Sequence, residues 1–197
     1  MKKVIMISLV FLSLLLQGCD SKEEKIKQEQ IKQEQIKQEQ IKQEEKKLEK
    51  IKEEGIKQDI VLIFNCSNFS SGYQNYGYYI TNTGNKITYD VSEESQELLD
   101  KDKLYEYLME NLDASTGEPF MTEDDLNKSY LYLYDIDPNA EVEEIRDPNI
   151  VDSGENMLYG VQLSKEGKVT IVSINGVGDY NYVNHDKHAK KIVDILN

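Results

Sequence analysis

The chain has 197 residues, 37 of them acidic and 23 basic, for a formal charge of −14. That balance excludes nucleic acid as a partner, because phosphate backbones are held through clustered Lys and Arg that displace counterions. The length suffices for one domain with a real core, beside whatever the ends carry.

Met1-Lys2-Lys3 opens the chain, and an apolar run follows from Val4 to Leu16, broken only by Ser8 and Ser13. A charged start and a short apolar stretch are the layout of an export signal. A permanent span would need about twenty apolar residues. The run ends in Leu16-Gln17-Gly18-Cys19. These residues resemble the lipobox of bacterial lipoproteins, in which an aliphatic residue and a small residue precede a cysteine; Gln17 stands where a small or β-branched residue is commoner. The resemblance implies removal of residues 1–18 as a signal peptide and lipidation of Cys19. It also implies residence at the cell membrane, lipid-anchored on the extracytoplasmic face. Two or more acyl chains anchor stably where one holds only marginally.

Residues 19–58 form a repeat segment. Ile-Lys-Gln-Glu-Gln occurs at 26–30, 31–35 and 36–40, with degenerate copies beyond. Ile, Lys, Gln and Glu all tolerate helix. Glu29, Glu34 and Glu39 stand three residues before Lys32, Lys37 and Lys42, the favourable order for helical ion pairs. Five residues turn a helix by about 500°, so successive Ile residues rotate by about 140° and make no stripe. A coiled coil needs a seam at period 3.5, and this segment lacks one. It reads as a lone solvated helix or a disordered charged spacer, about 54 Å long if fully helical.

Residues 59–197 read as an acidic globular domain, with 26 acidic against 10 basic side chains. Ile60–Phe64 is a short apolar run, as expected of a buried strand. Tyr78–Thr81 and Lys86–Tyr89 flank Asn82-Thr83-Gly84-Asn85 and read as a hairpin. Leu104, Tyr105, Leu108, Met109 and Leu112 keep helical spacing, with Asp100 as cap. Thr122-Glu123-Asp124-Asp125 opens a second helix with the apolar face Leu126, Tyr130, Leu133 and Tyr134, ending at Asp137-Pro138. A weak strand is expected near Val142–Ile145. Met157–Leu163 and Val169–Ile174 form a second hairpin, and Asn184 is placed to cap a last helix with Ala189, Ile192, Val193 and Leu196 inside. This order predicts an α+β fold, an antiparallel sheet with helices packed on one face.

Candidate chemistry is sparse. Phe64-Asn65-Cys66-Ser67-Asn68-Phe69 superficially resembles the nucleophile motif of papain-like cell-wall peptidases, although Asn68 replaces the expected Gly and a strand precedes it. A cell-wall-directed cysteine hydrolase using Cys66 with His185 or His188 is therefore the alternative reading. The two histidines, three apart, would share one helical face but lack a third metal ligand. Asp135, Asp137, Asn139 and Glu141 alternate like the start of a calcium loop. Pro138, Ala140 and Arg146 fall where an EF-hand forbids them, which leaves a looser candidate cation site at Asp135, Asp137 and Asn139, with Asp147, Asp152 and Glu155 as further oxygens. Tyr73, Tyr76, Tyr78 and Tyr79 cluster in and before one strand, as suits a half-buried strand or a contact surface. No phosphate loop, dinucleotide fingerprint, serine elbow or zinc-peptidase motif is present. The expectation is a monomeric, non-enzymatic binding or inhibitory module of the immunity or exclusion type. It needs no cofactor, and a basic protein is its expected partner.

Overall fold

The computed structural model describes residues 22–68, 72–112, 117–146, 154–164, 166–178 and 180–197. The signal segment, Cys19, Asp147 and Asp152 lie outside them. The chain divides into two units between Glu44 and Glu45. Helix α1 spans Lys22–Glu54. In the first unit Ile26, Ile31, Ile36 and Ile41 all stand exposed, as their five-residue spacing dictates. No helix among the described residues is long and apolar enough to cross a membrane.

The second unit takes in the last turns of α1. Lys47 pairs with Asp135 at 2.6 Å and Lys52 with Asp124 at 3.2 Å. Gly55, at φ 72°, stops the helix in the left-handed conformation, and its N–H donates to the Ile51 carbonyl. Ile56 then packs on the core, and the buried Gln58 donates from Nε2 to the Val161 carbonyl at 2.7 Å.

Eight strands follow in one antiparallel sheet: β1 (Ile60–Asn68), β2 (Gln74–Thr81), β3 (Asn85–Asp90), β4 (Glu118–Pro119), β5 (Val142–Arg146), β6 (Glu155–Leu163), β7 (Val169–Gly178) and β8 (Tyr180–Asn184). Their spatial order is β4-β3-β2-β1-β6-β7-β8-β5. The helices of this unit are α2 (Lys101–Glu110), α3 (Glu123–Asp135) and α4 (Lys187–Leu196). The expected α+β antiparallel architecture is thus observed, with α3 and α4 together on one face.

That face buries Val61, Leu62, Ile80, Leu158, Val172 and Ile174 beneath Leu126, Leu133 and Ile192. The other face is covered as well, because β1 is apolar on both sides. Ile60 and Ile63 point to it with Tyr79, Met157, Tyr159 and Val161, and Leu98, Leu104 and Leu108 from the α2 region close it. A register shift between Ile60 and Leu62 lets Val61 and Leu62 enter the same cluster. Gly160 sits where α3 presses closest, since a Cβ there would strike Leu133. Gln162 fastens the end of α3 by donating to the Leu133 and Ile136 carbonyls at 2.6 and 2.7 Å.

Local signals hold in most places. Asp100 accepts from the backbone N–H groups of Asp102 and Lys103, and Thr122 accepts from that of Asp125. The last helix differs, because Asp186 caps it, accepting from the His188 N–H at 2.8 Å. Asn184 is the end of β8 instead and ties it to β7 by donating to the Ser173 carbonyl. Strand β8 itself is a further finding; its alternation of Tyr and Asn carries little apolar signal. In α3, Leu126 and Leu133 are buried as expected, Leu131 is buried as well, and Tyr134 is exposed against expectation. Leu131 faces the added end of α1, beside Lys47 and Ile51.

Burial pushes the Tyr159 phenol up to about 12, helped by the negative charges of Glu155 and Asp100, and raises Tyr89 further. Both groups are neutral in the fold where the unfolded chain would ionise, so the stability they contribute is whole below pH 10. It is lost as pH rises through the folded values. Each buried tyrosine should remove about 1.4 kcal/mol per pH unit between about pH 10 and 12. Urea denaturation across that window should show the decline, and Tyr159→Phe should make it shallower; an unchanged slope in the variant would contradict this cause.

Candidate functional site

Antiparallel register lays side chains in rows across the α3–α4 face. Ile80, Leu62, Gly160 and Val172 form one row, under the helices. Tyr78, Phe64, Leu158 and Asn175 form the next, and Tyr76, Cys66, Asn156 and Val177 the last. Helix α4 ends above these last rows, where Val193, Leu196 and Asn197 overhang them. The result is a cleft of about 490 Å³, within the range of ligand pockets. Tyr76 and Val177 at its rim are 44% and 52% exposed.

One wall is aromatic. Phe64 stacks on Tyr78 with centroids 4.3 Å apart, and Phe120 tilts against Tyr78 at 5.8 Å. The Lys86 ammonium lies about equally over Tyr78 and Phe120, at 5.5 and 5.6 Å, and is held there by Glu118 at 2.8 Å. The hydrogen bond to Glu118 raises Lys86 and lowers Glu118, so the clamp is charged at neutral pH. Beneath the wall, Tyr89 donates to Asn65 Oδ1 at 2.7 Å and lies 3.2 Å from the Phe64 carbonyl. Gly77 lets β2 close on this carbonyl, as any Cβ there would collide with it.

Chemically the cleft is apolar with a few neutral polar groups. No side chain lining it carries a formal charge at neutral pH, and its polar groups are asparagine amides, the Tyr76 hydroxyl and the Cys66 thiol. Cys66, opposite Tyr76 in the register, raises the Tyr76 phenol, and desolvation and the charge of Asp90 add to it. Neither histidine lines the cleft. His185 Nε2 meets Glu143 Oε2 at 2.9 Å, whereas His188 Nδ1 meets Asp186 Oδ1 at 3.0 Å and stacks on Tyr132. His185 precedes the α4 cap and His188 follows it, so they do not share a helical face.

The candidate cation residues are partly separated. Asp137 and Asn139 meet in a turn, with Asp137 Oδ1 accepting from the Asn139 N–H at 2.9 Å. Both oxygens of Asp135 accept from Lys47 instead, at 2.8 and 2.6 Å. Glu155 accepts from the Tyr182 hydroxyl at 2.8 Å. Among the described residues no group of three His, Cys, Asp or Glu stands ready to hold a metal ion.

Of the cleft residues, Cys66, Tyr76 and Tyr78 were visible as candidates in the sequence. Asn156, Asn175 and Val177 are not, since only strand register brings them together. No family model, no curated protein and no solved structure matches the chain.

Two outcomes follow. Gly77→Ala should cost roughly 1–3 kcal/mol in urea denaturation, as an overpacked core site does; a neutral result would deny the close approach. Alkylation of Cys66 at neutral pH, followed by peptide mass mapping, should proceed at the same rate in His185→Ala and His188→Ala. A rate that collapses in either variant would restore the hydrolase reading.

Proposed function

We propose that the protein is a lipid-anchored, non-enzymatic binding or inhibitory module on the extracytoplasmic face of the cell membrane. Its partner is a basic protein that seats an apolar side chain in the sheet-face cleft. The cleft carries the reading: an uncharged, apolar hollow opens on a domain whose formal charge, from 26 acidic and 10 basic residues, is −16. Specific interfaces commonly have such an apolar centre within a charged surround, and the surround steers an oppositely charged partner. Asp90, paired with Tyr76 in the strand register, brings that negative field to the rim.

The lipobox resemblance at Leu16–Cys19 supports the address, and the repeat segment supports a spacer between membrane and domain. An inhibitory role, in which the domain occludes a basic protein arriving from outside, would use the same surface. The absence of an imidazole beside Cys66 favours binding over thiol catalysis.

Cys19→Ser should move the protein from the membrane fraction to the soluble fraction and abolish incorporation of labelled fatty acid. Persistence of both would refute the anchor. Val177→Asp sets a carboxylate at the exposed rim, where it leaves the core untouched. It should weaken capture of the basic partner at least tenfold, and high salt should weaken capture by the unaltered protein. Equal capture by wild type and variant would remove the cleft from the function.

A further inference from the structure

The two edges of the sheet are built differently. Strand β4, at one edge, has two residues and ends in Pro119, which is the usual protection of an edge against pairing. Strand β5, at the other, has five residues in unbroken register with β8. It contains no Pro and no bulge, its one basic residue is the terminal Arg146, and every one of its residues is exposed. Val142 and Ile145 are 37% and 45% exposed, and Val183, across the ladder, is 37% exposed. An edge of that kind offers a row of backbone donors and acceptors with apolar footholds beside them.

Charge selects the occupant. Glu143 and Glu144 point to opposite faces of β5, between Val142 and Ile145. A second copy of β5 in the register that sets Val142 against Ile145 would bring Glu143 against Glu144, which opposes that self-pairing. We infer that β5 is a strand-addition site for an extended, basic segment of a partner protein, with the pattern apolar-basic-basic-apolar opposite Val142–Ile145. Backbone hydrogen bonds supply the attachment, and the two basic residues face Glu143 and Glu144. The pattern reads the same in either direction, so it serves a parallel or an antiparallel strand. This inference rests on the binding-module reading and gives the partner a second, extended contact.

The test is fluorescence anisotropy of the full chain with a labelled eight-residue peptide, Thr-Thr-Val-Lys-Lys-Val-Thr-Thr. Its companion carries N-methyl groups on alternate amides, which keeps every charge but removes one edge of donors. The expected result is saturable binding that N-methylation weakens at least tenfold. Glu143→Gln with Glu144→Gln should weaken it about fivefold, and Val177→Asp should leave it unchanged. Slowed amide hydrogen exchange in residues 142–146 should accompany binding. Equal affinity for the methylated peptide would overturn the inference, because charge attraction alone would then explain binding. Loss in Val177→Asp alone would also overturn it, moving the peptide to the cleft and leaving the cleft reading intact. Protection of β5 without peptide, rising with protein concentration, would overturn it in favour of self-pairing.

Discussion

The need to bury both sides of β1 governs this domain. Ile60, Val61, Leu62 and Ile63 are all withdrawn from water, and each such side chain contributes about 1.5–3 kcal/mol by burial. No single layer of helices can do this. The chain therefore sends α2 to one face and α3 with α4 to the other. Strands β1, β6 and β7 run nine, nine and ten residues, and α3 with α4 buries only part of that length on its face. The remaining rows, from Phe64 and Cys66 outward, stay open. The cleft is the part of the sheet that the helices do not reach.

The same logic explains what could be read from the sequence. Strand β1, both hairpins and all three domain helices announce themselves through apolar period, turn residues and caps such as Asp100 and Thr122. These signals are local. The placement of α2 on the second face was hidden, although the unbroken apolar run at Ile60–Ile63 records that both faces are buried. Strand β8 was hidden because Tyr180–Asn184 owes its order to pairing with β5 and β7. Leu126 and Leu133 of α3 are legible as core, whereas the burial of Leu131 depends on the end of α1, read as spacer, which packs beside it. Among the site residues, Cys66 and the tyrosines draw notice by type. Asn156, Asn175 and Val177 become neighbours only through a register that the sequence does not print.

The electrostatics separate two roles. The surface is strongly negative, and long-range attraction acts before contact and fades with salt. The side chains lining the cleft are uncharged, so their contribution comes after contact, through the area removed from water. Cys66 lies in this hollow with Tyr76 as its partner, and the carboxylates that engage His185 and His188 hold those rings elsewhere. The hollow has room for a side chain, and neither imidazole stands beside the thiol. Lys86 lies over two aromatic rings of the wall and neutralises Glu118 beside them.

The most direct test is site-specific photocrosslinking in living cells that display the full chain. A photoreactive phenylalanine would replace Tyr76 at the cleft rim or, in a second strain, the exposed Tyr134 on α3. Occupation of the cleft should give a discrete adduct with a basic protein at position 76 that disappears when Val177→Asp is added, and none at 134. Adducts at position 134 with none at 76, or an adduct at 76 that survives Val177→Asp, would contradict it.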